Sequence, residues 1–300
     1  MDRFYEMQIF IAVAEEDGFA AAARRLNISP PTVTRAVASI EERIGTQLLS
    51  RSTRSMHLSE AGLRYLEDCR RILSELEEAE EAAAGSYSVP CGNLTITAPV
   101  IFGEMFVAPT LVEYMDRFPA VTLNAMLVDR VVNMPDEGVD VGIRIGHLHD
   151  PGQVSVKVGE VSLVVCASPQ YLDRVGRPGH PNDLAGYNLV SSSASYLLRD
   201  WQFVHHEKQL SFSPSPQLIV TDNKAAINVA CLGWGMTRVL SYQVDNFIKA
   251  HKLEVVLGDF QPAPLPIHIV YQKSARVPAK TLTFVSFLAD RLLSTPSLQL

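Results

Sequence analysis

The sequence predicts an α/β chain with an α-rich N-terminal module. Three observations carry that expectation. Up to about residue 84, apolar residues recur at spacings of three and four between turn signals, the period of amphipathic helices. From Asn93 onward, short apolar strands alternate with helical stretches, the pattern of a mainly parallel sheet with helices on it. At 300 residues the chain is also too long for one ordinary core, which points to about two domains.

The N-terminal elements follow in order. Phe4, Met7, Phe10, Ile11 and Ala14 mark a helix over 1–17 that Asp17-Gly18 breaks. FAAAARRL (19–26) is a short alanine-rich helix, and Asn27 after it tolerates the left-handed conformation of a turn. Ser29-Pro30 reads as a helix cap followed by proline at the first helical position. That helix runs to about Ile44, with Val33, Val37 and Ile40 inward, and Gly45 ends it. Leu48 and Leu49 begin a short strand, and RSTRSMH (51–57) is polar and basic, as in a hairpin wing. Ser59 caps a long helix to about Ala84, on which Leu66, Cys69, Leu73, Leu76 and Ala83 fall near an a/d seam. A narrow apolar stripe on a charged helix requires a partner helix, so residues 63–83 are expected to join two copies into a homodimer. GSYSVPCG (85–92) reads as linker and hinge.

Residues 19–41 have the spacing of two helices packed around a short turn, with Ala22, Ala23, Leu26, Ile28, Val33, Val37 and Ile40 in between. The exposed start of the second helix carries Ser29, Thr32, Thr34 and Arg35, which can enter the major groove of double-stranded DNA. Arg35 is placed to meet either guanine O6/N7 or a phosphate. The N–H groups at the helix start offer a further phosphate site. A plain three-helix bundle shares this spacing; the wing and seam that follow favour the DNA-reading form. The net charge of −7 runs against nucleic-acid binding, but phosphates meet only the contacting face. Residues 18–59 carry six arginines against two glutamates, whereas residues 60–84 carry eight acidic residues against three arginines.

The C-terminal strands are expected at 94–98, 121–128, 139–145 and 154–161, with a helix from about Phe102 to Phe118. A second unit follows: strand 162–168, a helix opened by Ser168-Pro169, then strands 189–193, 201–205 and 218–220, a helix from Asp222, and strand 235–240. Strand 266–272 and helix 279–292 come last.

Several function classes find no support. No G-x-S-x-G, P-loop or G-x-G-x-x-G occurs, so no enzyme and no cofactor is expected. The histidines of His147-x-His149-Asp150 and His205-His206-Glu207 read as surface residues, not metal ligands. Cys69, Cys91, Cys166 and Cys231 are far apart in sequence and fit reduced thiols in a cytoplasmic protein. No apolar run approaches the roughly 20 residues of a membrane helix, and MDRFYEMQIF is unlike a signal peptide.

Residues 1–85 resemble the DNA-binding domain of LysR-type transcription regulators. The resemblance rests on Phe10, Val13, Phe19, Ala22-Ala23, Leu26, Ser29-Pro30-Pro31, Val33, Thr34-Arg35, Ile40-Glu41, Gly45 and the wing LLSRSTRSMHLSEAG. Leu49 replaces a usual Phe, Ser59 a usual Thr, and Pro30 a frequent glutamine. Pro30 cannot hydrogen-bond a base, so readout is expected to lean on Pro31, Thr34, Arg35 and DNA shape. The resemblance puts Arg51 and Arg54 at phosphate or in the minor groove.

GNLTITAPVIFGEMFVAPTLVEYMDRFPAVTL and EGVDVGIRIGHLHD are similar to the first lobe of the family's effector domain, and VCASPQYLDRVGRPGHPNDLAGYNLV to the start of its second. The implied fold is a winged helix-turn-helix (1–60), a linker helix and hinge (61–91), and an effector domain (92–300) of two α/β lobes resembling periplasmic binding proteins. Lobe I would comprise 92–161 and 267–300, and lobe II 162–266. A small-molecule effector between such lobes would meet strand ends and helix starts. These are Pro99, Val100, Ile101, Phe102, Asp129, Arg130, Arg144, Ile145, Ser191, Ser192, Ser193, Asp222, Asn223 and Arg238. Arg144 suits a carboxylate, with an internal salt bridge or a subunit contact as alternatives; Ile101, where the family often has Ser or Thr, leaves the ligand's charge open. The family implies a homotetramer of paired dimers on an interrupted inverted repeat. Two other classes remain: a solute-binding or enzyme domain with an added dimerisation module, and a nucleoid-type DNA binder without a ligand.

Overall fold

The computed structural model describes residues 2–51, 56–83, 90–148, 152–193, 200–274 and 277–299. The chain divides into two compact units, residues 1–89 with Asn133–Val139, and Pro90–Val132 with Asp140–Leu300.

The first unit contains helices α1 (Arg3–Glu15), α2 (Phe19–Arg25) and α3 (Pro30–Ile44), the hairpin β1 (Leu49–Arg51) and β2 (Met56–Leu58), and the long helix α4 (Glu60–Ala83). Ile9, Phe10, Val13, Ala22, Ala23, Val33, Val37 and Ile40 form its core. Asn27 turns the chain between α2 and α3 at φ 53°, and the Ile28 N–H bonds back to the Ala23 carbonyl at 3.0 Å. Gly45 closes α3 at φ 74°, a conformation that costs an L side chain but not glycine.

A carboxylate lies inside this core. Glu6 of α1 is fully buried and accepts hydrogen bonds from Ser39 Oγ at 2.7 Å and Arg43 Nη1 at 2.6 Å, both on α3. Burial works against its ionisation, but those two bonds prevail and hold the carboxyl below the usual glutamate range. At the other end of α1 the exposed Glu15 accepts from Arg25 of α2 at 2.7 Å and Arg70 of α4 at 2.8 Å.

The long helix corrects one expectation. Leu66 and Cys69, assigned by spacing to a seam between copies, are buried in the chain's own core, where Tyr65 packs on Phe10 with ring centroids 5.5 Å apart. Leu63 is exposed, and Ile72, Leu73 and Leu76 are half-buried. Among the described residues no helix is long and apolar enough to cross a membrane.

The second unit opens with β3 (Gly92–Ala98), α5 (Val100–Phe102), a π-helical turn (Gly103–Val107), α6 (Ala108–Arg117), β4 (Val121–Leu127), β5 (Val141–Ile145) and β6 (Gln153–Val161). Then come β7 (Leu163–Ala167), α7 (Pro169–Val175), β8 (Val190–Ser192), β9 (Trp201–His205), β10 (Lys208–Phe212), β11 (Leu218–Val220) and α8 (Asn223–Cys231). The last elements are β12 (Thr237–Leu240), α9 (Ser241–Lys249), β13 (Glu254–Val256), β14 (Leu265–Gln272) and α10 (Ala279–Leu293). The first helix starts at Val100, two residues before the expected Phe102, because Asp129 receives its leading N–H. Strand β10, helix α9 and strand β13 are additions to the sequence-based reading.

The larger sheet has the order β4-β3-β5-β14-β6, with only β14 reversed, so it is mainly parallel as expected. The second sheet runs β12-β7-β13, antiparallel throughout; β8 and β11 pair in parallel, and an isolated bridge joins Leu189 to Met236. Cys166 is buried in this core with Cys231 near it, and burial pushes its thiol up to about 12, so it stays protonated and unreactive at neutral pH.

Replacing Glu6 with alanine strands Ser39 and Arg43, and should destabilise the N-terminal unit by about 1.5–3 kcal/mol in a denaturant titration. Because the folded carboxyl is the stronger acid, its contribution is full above the usual glutamate range and is lost as the pH falls through its lowered pKa. Wild type should therefore lose stability on acidification below that range, and Glu6→Gln should lose less.

Candidate functional site

The helix-turn-helix leaves one strip of α3 uncovered. Ser29, Pro30, Pro31, Thr34 and Arg35 are exposed and Thr32 is half-buried, while Val33, Ala36 and Val37 turn into the core. The strip is therefore brought together as the motif requires. Its details differ from the expectation in two ways. Ser29 does not cap the helix with its side chain; its Oγ pairs with Thr32 Oγ1 at 2.8 Å. The helix start also lacks the free N–H groups expected to hold a phosphate. Pro30 and Pro31 have none, and the Thr32 N–H already reaches the Ser29 carbonyl at 2.9 Å. Arg35 leans on its own helix through a long 3.4 Å bond from Nε to the Pro31 carbonyl, and Thr34 Oγ1 donates to the Pro30 carbonyl at 3.2 Å.

The basic patch is smaller than the sequence count. Arg25 and Arg43 are both held by carboxylates. Arg24 and Arg35 are exposed and make no ion pair among the described residues. Arg24 was absent from the sequence-based set; its signal was its place at the end of α2, beside Arg25, which pairs with Glu15 at the surface. Arg54 lies outside the described residues, as does the side chain of Arg51, whose backbone pairs with Met56.

The base of the wing is fixed by side chains on both flanks. Glu41 of α3 accepts from the N–H groups of Leu48 and Leu49 at 2.8 and 3.1 Å. Ser59 caps α4, its Oγ accepting from Gly62 N at 2.9 Å, and the same hydroxyl donates to the Gln47 carbonyl at 2.8 Å.

In the C-terminal unit, the residues after β3 divide by burial. Val100 is exposed, Ile101 is nearly closed off, and Phe102 is fully buried with its ring 4.9 Å from Phe106 and 5.4 Å from Tyr242. Tyr242 belongs to α9, so the expected lobes share this aromatic contact. Lys224 and Glu104 add an exposed ion pair at 3.1 Å, an arrangement worth at most about 1 kcal/mol. Asp129 Oδ1 accepts from the Val100 N–H at 2.9 Å, and Asp222 Oδ1 accepts from Lys224 N at 2.5 Å at the start of α8. Both helix starts thus carry their own carboxylate. Asn223 is half-buried beside that cap. Arg144 stands opposite His268 in the sheet and donates through Nη2 to the Val132 carbonyl at 3.0 Å. Ser191 and Ser192 are buried. Arg238 on β12 lies against Trp201 and Phe203 and donates to the Gln202 carbonyl. Among the described residues no group of three or more His, Cys, Asp or Glu is arranged to hold a metal ion; His149 and Asp150 lie outside them.

An arrangement of this kind, a DNA-reading helix pair with a base-pinned wing and a separate α/β unit, defines a ligand-responsive transcription regulator. Residues 4–63 match the family model for bacterial regulatory helix-turn-helix proteins of the lysR family, and residues 88–293 match the LysR substrate binding domain. A curated HTH-type transcriptional regulator of Xanthomonas campestris pv. campestris is 32% identical over 289 residues, covering 95% of this chain and 84% of its own. The HTH-type transcriptional activator AaeR of Escherichia coli is 28% identical, covering 97% of this chain and 94% of its own. The solved structure of CrgA, a LysR-type transcriptional regulator from Neisseria meningitidis, superposes with a TM-score of 0.61 at 27% identity, over 96% of this chain and 98% of that one. The chain belongs to the LysR family of transcription regulators. It is a DNA-binding regulator with an effector-binding domain, not an enzyme.

The junction of wing and linker helix is the tightest point of the DNA-binding unit. A Cβ at Gly62 would stand 2.0 Å from the Leu48 carbonyl oxygen, which is backbone and cannot swing aside. Gly62→Ala should cost about 2 kcal/mol or more in thermal or chemical unfolding and should weaken DNA binding, whereas alanine at exposed Glu60 should change little.

Proposed function

We propose that α3 enters the major groove with Ser29, Pro30, Pro31, Thr32, Thr34 and Arg35 at the DNA surface, and that Arg51 and Arg54 of the wing and Arg24 of α2 meet the phosphate backbone or minor groove. The observation that carries this reading is the exposed strip of α3, whose one cation, Arg35, has no carboxylate partner among the described residues. With no amide or carboxylate on the strip, discrimination comes from Arg35 on guanine, from proline and threonine against apolar base edges, and from DNA shape. Two copies would pair through α4 using Leu63, Ile72, Leu73 and Leu76, since Leu66 and Cys69 are already used inside each chain. The pair would meet an interrupted inverted repeat with half-sites one or more helical turns apart, two pairs would form a tetramer, and the protein would act in the cytoplasm.

The effector would lie between the lobes and meet Pro99, Val100, Ile101, Phe102, Asp129, Arg144, Ser191, Ser192, Asn223 and Arg238, the residues at strand ends and helix starts. Phe102 forms the floor of such a site, because its ring is buried against Tyr242. Asp129 orients the Val100 end of the helix. Effector binding would alter the lobe geometry and, through paired linker helices, the spacing of the two DNA-reading heads.

The test is a gel-shift titration against the DNA upstream of the protein's own gene at two salt concentrations. Wild-type binding should weaken with salt, and Arg35→Ala should lose specific binding, by about 1–3 kcal/mol if Arg35 reads a guanine. Arg24→Ala should instead weaken binding to all sequences alike and lower the salt slope by about one. Binding untouched by Arg35→Ala would reject α3 as the reading helix.

A further inference from the structure

Three of the chain's eight histidines, His180, His205 and His206, meet at one corner of the second unit. There the hairpin of β9 and β10 packs on two short 3-10 turns, Pro181–Gly186 and Gly258–Phe260. Phe260 is the ring they share. His205 stacks on it with ring centres 4.5 Å apart and planes inclined by 27°, and His180 meets it edge-on at 5.4 Å. His206 lies against His205, ring centres 4.1 Å apart. Phe260 is buried, His180 and His205 are half-buried and His206 is exposed, so the cluster opens to solvent at its outer end.

Two features of this corner require neutral rings. His180 Nδ1 accepts the Asn182 N–H at 3.2 Å and so caps the turn that follows, while Asp183 Oδ2 accepts the N–H groups of Gly179 and His180 at 3.0 and 2.8 Å. A proton on Nδ1 would set donor against donor, so His180 cannot become a cation without giving up that cap. His205 and His206 stack as neutral rings, but two imidazolium ions at this separation repel, and Lys208 adds a positive charge opposite His205 on the paired strand. The acidic neighbours Glu207 and Asp259 are exposed, where water and salt screen their attraction for a cation. Arg177, three residues before His180, is held by Glu254 and Asp173. The hairpin also carries a backbone cost at this end. His206 and Glu207, the two residues of its turn, have φ 47° and 64°, the left-handed conformation that glycine and asparagine enter most readily. The stack on Phe260 holds the tip against that cost, whereas the far end is anchored by buried Trp201, which pairs with Phe212.

We propose that His180, His205 and His206 form a proton-operated latch on Phe260, which holds the tip of the β9–β10 hairpin to the two turns while the rings are neutral and opens as they take up protons. The open corner binds more protons than the closed one, so acid drives the opening and local stability falls with falling pH. The acid loss traced to Glu6 is separate: it belongs to the other unit and falls below the usual glutamate range.

The experiment is amide hydrogen exchange of the full chain at about pH 8 and about pH 5.5, an interval in which histidine side chains take up protons, with rates corrected for intrinsic exchange. In wild type, protection over residues 203–210 and 180–186 should fall by roughly tenfold or more on acidification, while the sheet β4-β3-β5-β14-β6 changes little. With His180→Asn and His206→Asn combined, the fall should shrink to about twofold or less, because asparagine caps helices and accepts left-handed backbone but takes up no proton here. His251→Asn replaces an exposed histidine of left-handed backbone outside the cluster and should behave as wild type. Unchanged protection in wild type, a loss spread evenly over the unit, or an equal loss in the double variant would each overturn the latch. Should the double variant be open already at about pH 8, His206→Asn alone is compared, and a fall as large as that of wild type would then reject the proposal.

Discussion

The buried carboxylate of Glu6 sets the geometry on which the DNA-reading surface depends. An ionised group inside a small helical core is tolerated only where hydrogen bonds and an opposite charge meet it, so its partners are confined to one arrangement. Here those partners are Ser39 and Arg43, 33 and 37 residues away along the chain and both on α3. The rotation of α3 about its axis is thereby tied to α1, and the strip left facing outward is the one that begins at Ser29. The constraint then propagates: Glu41, one turn before the end of the same helix, fixes the two N–H groups that lead into the wing. Glu15 fixes α2 and the linker helix from the opposite end of α1. Apolar packing alone would permit small rotations among alanine-rich faces; the carboxylates remove that freedom.

The C-terminal unit uses close backbone approach for a similar purpose. Gly103 stands where a Cβ would come 2.3 Å from Leu127, and Gly235 where it would come 2.5 Å from the Asn188 carbonyl. The first lets the helix after β3 settle against β4, which brings Asp129 within reach of the Val100 N–H. The second lets the chain entering β12 run beside the chain entering β8, where Met236 bridges Leu189. Both candidate ligand-facing edges are thus set by absent side chains as much as by present ones.

Much of this was legible in the sequence. The helix pair was readable because Ala22, Ala23, Val33, Val37 and Ile40 keep a helical period and because Asn27 and Gly45 mark turns with left-handed backbone. The strands flanking α6 were readable from alternation and from apolar runs. The misses have physical causes. Strand β10 (KQLSF) is polar at alternate positions and depends on its pairing with β9, and β13 is three residues long. A period-based reading has little to work on in either. The seam on α4 was misassigned in part because an apolar stripe does not say which helix covers it; α1 of the same chain reaches Leu66 and Cys69 first. The ion pairs of Glu6 and Glu15 link residues 10 to 55 positions apart, and no local pattern announces them.

Those same ion pairs narrow the positive face that a chain of net charge −7 can offer to DNA. Counting charges by segment suggested a strongly basic patch, yet two of its arginines are structural, neutralised by carboxylates from α1. Arg24 and Arg35 remain at the surface. Each phosphate neutralised contributes one increment of counterion release, so the cations left facing DNA matter more than the net charge of the chain. Arg24 and Arg35 supply two of them, and the wing's Arg51 and Arg54 are proposed as the others. If two heads engage one DNA as proposed, their affinities combine through effective concentration only where the linker geometry lets both bind at once. In that arrangement occupancy would depend on the spacing between heads, the quantity that the proposed effector response would alter.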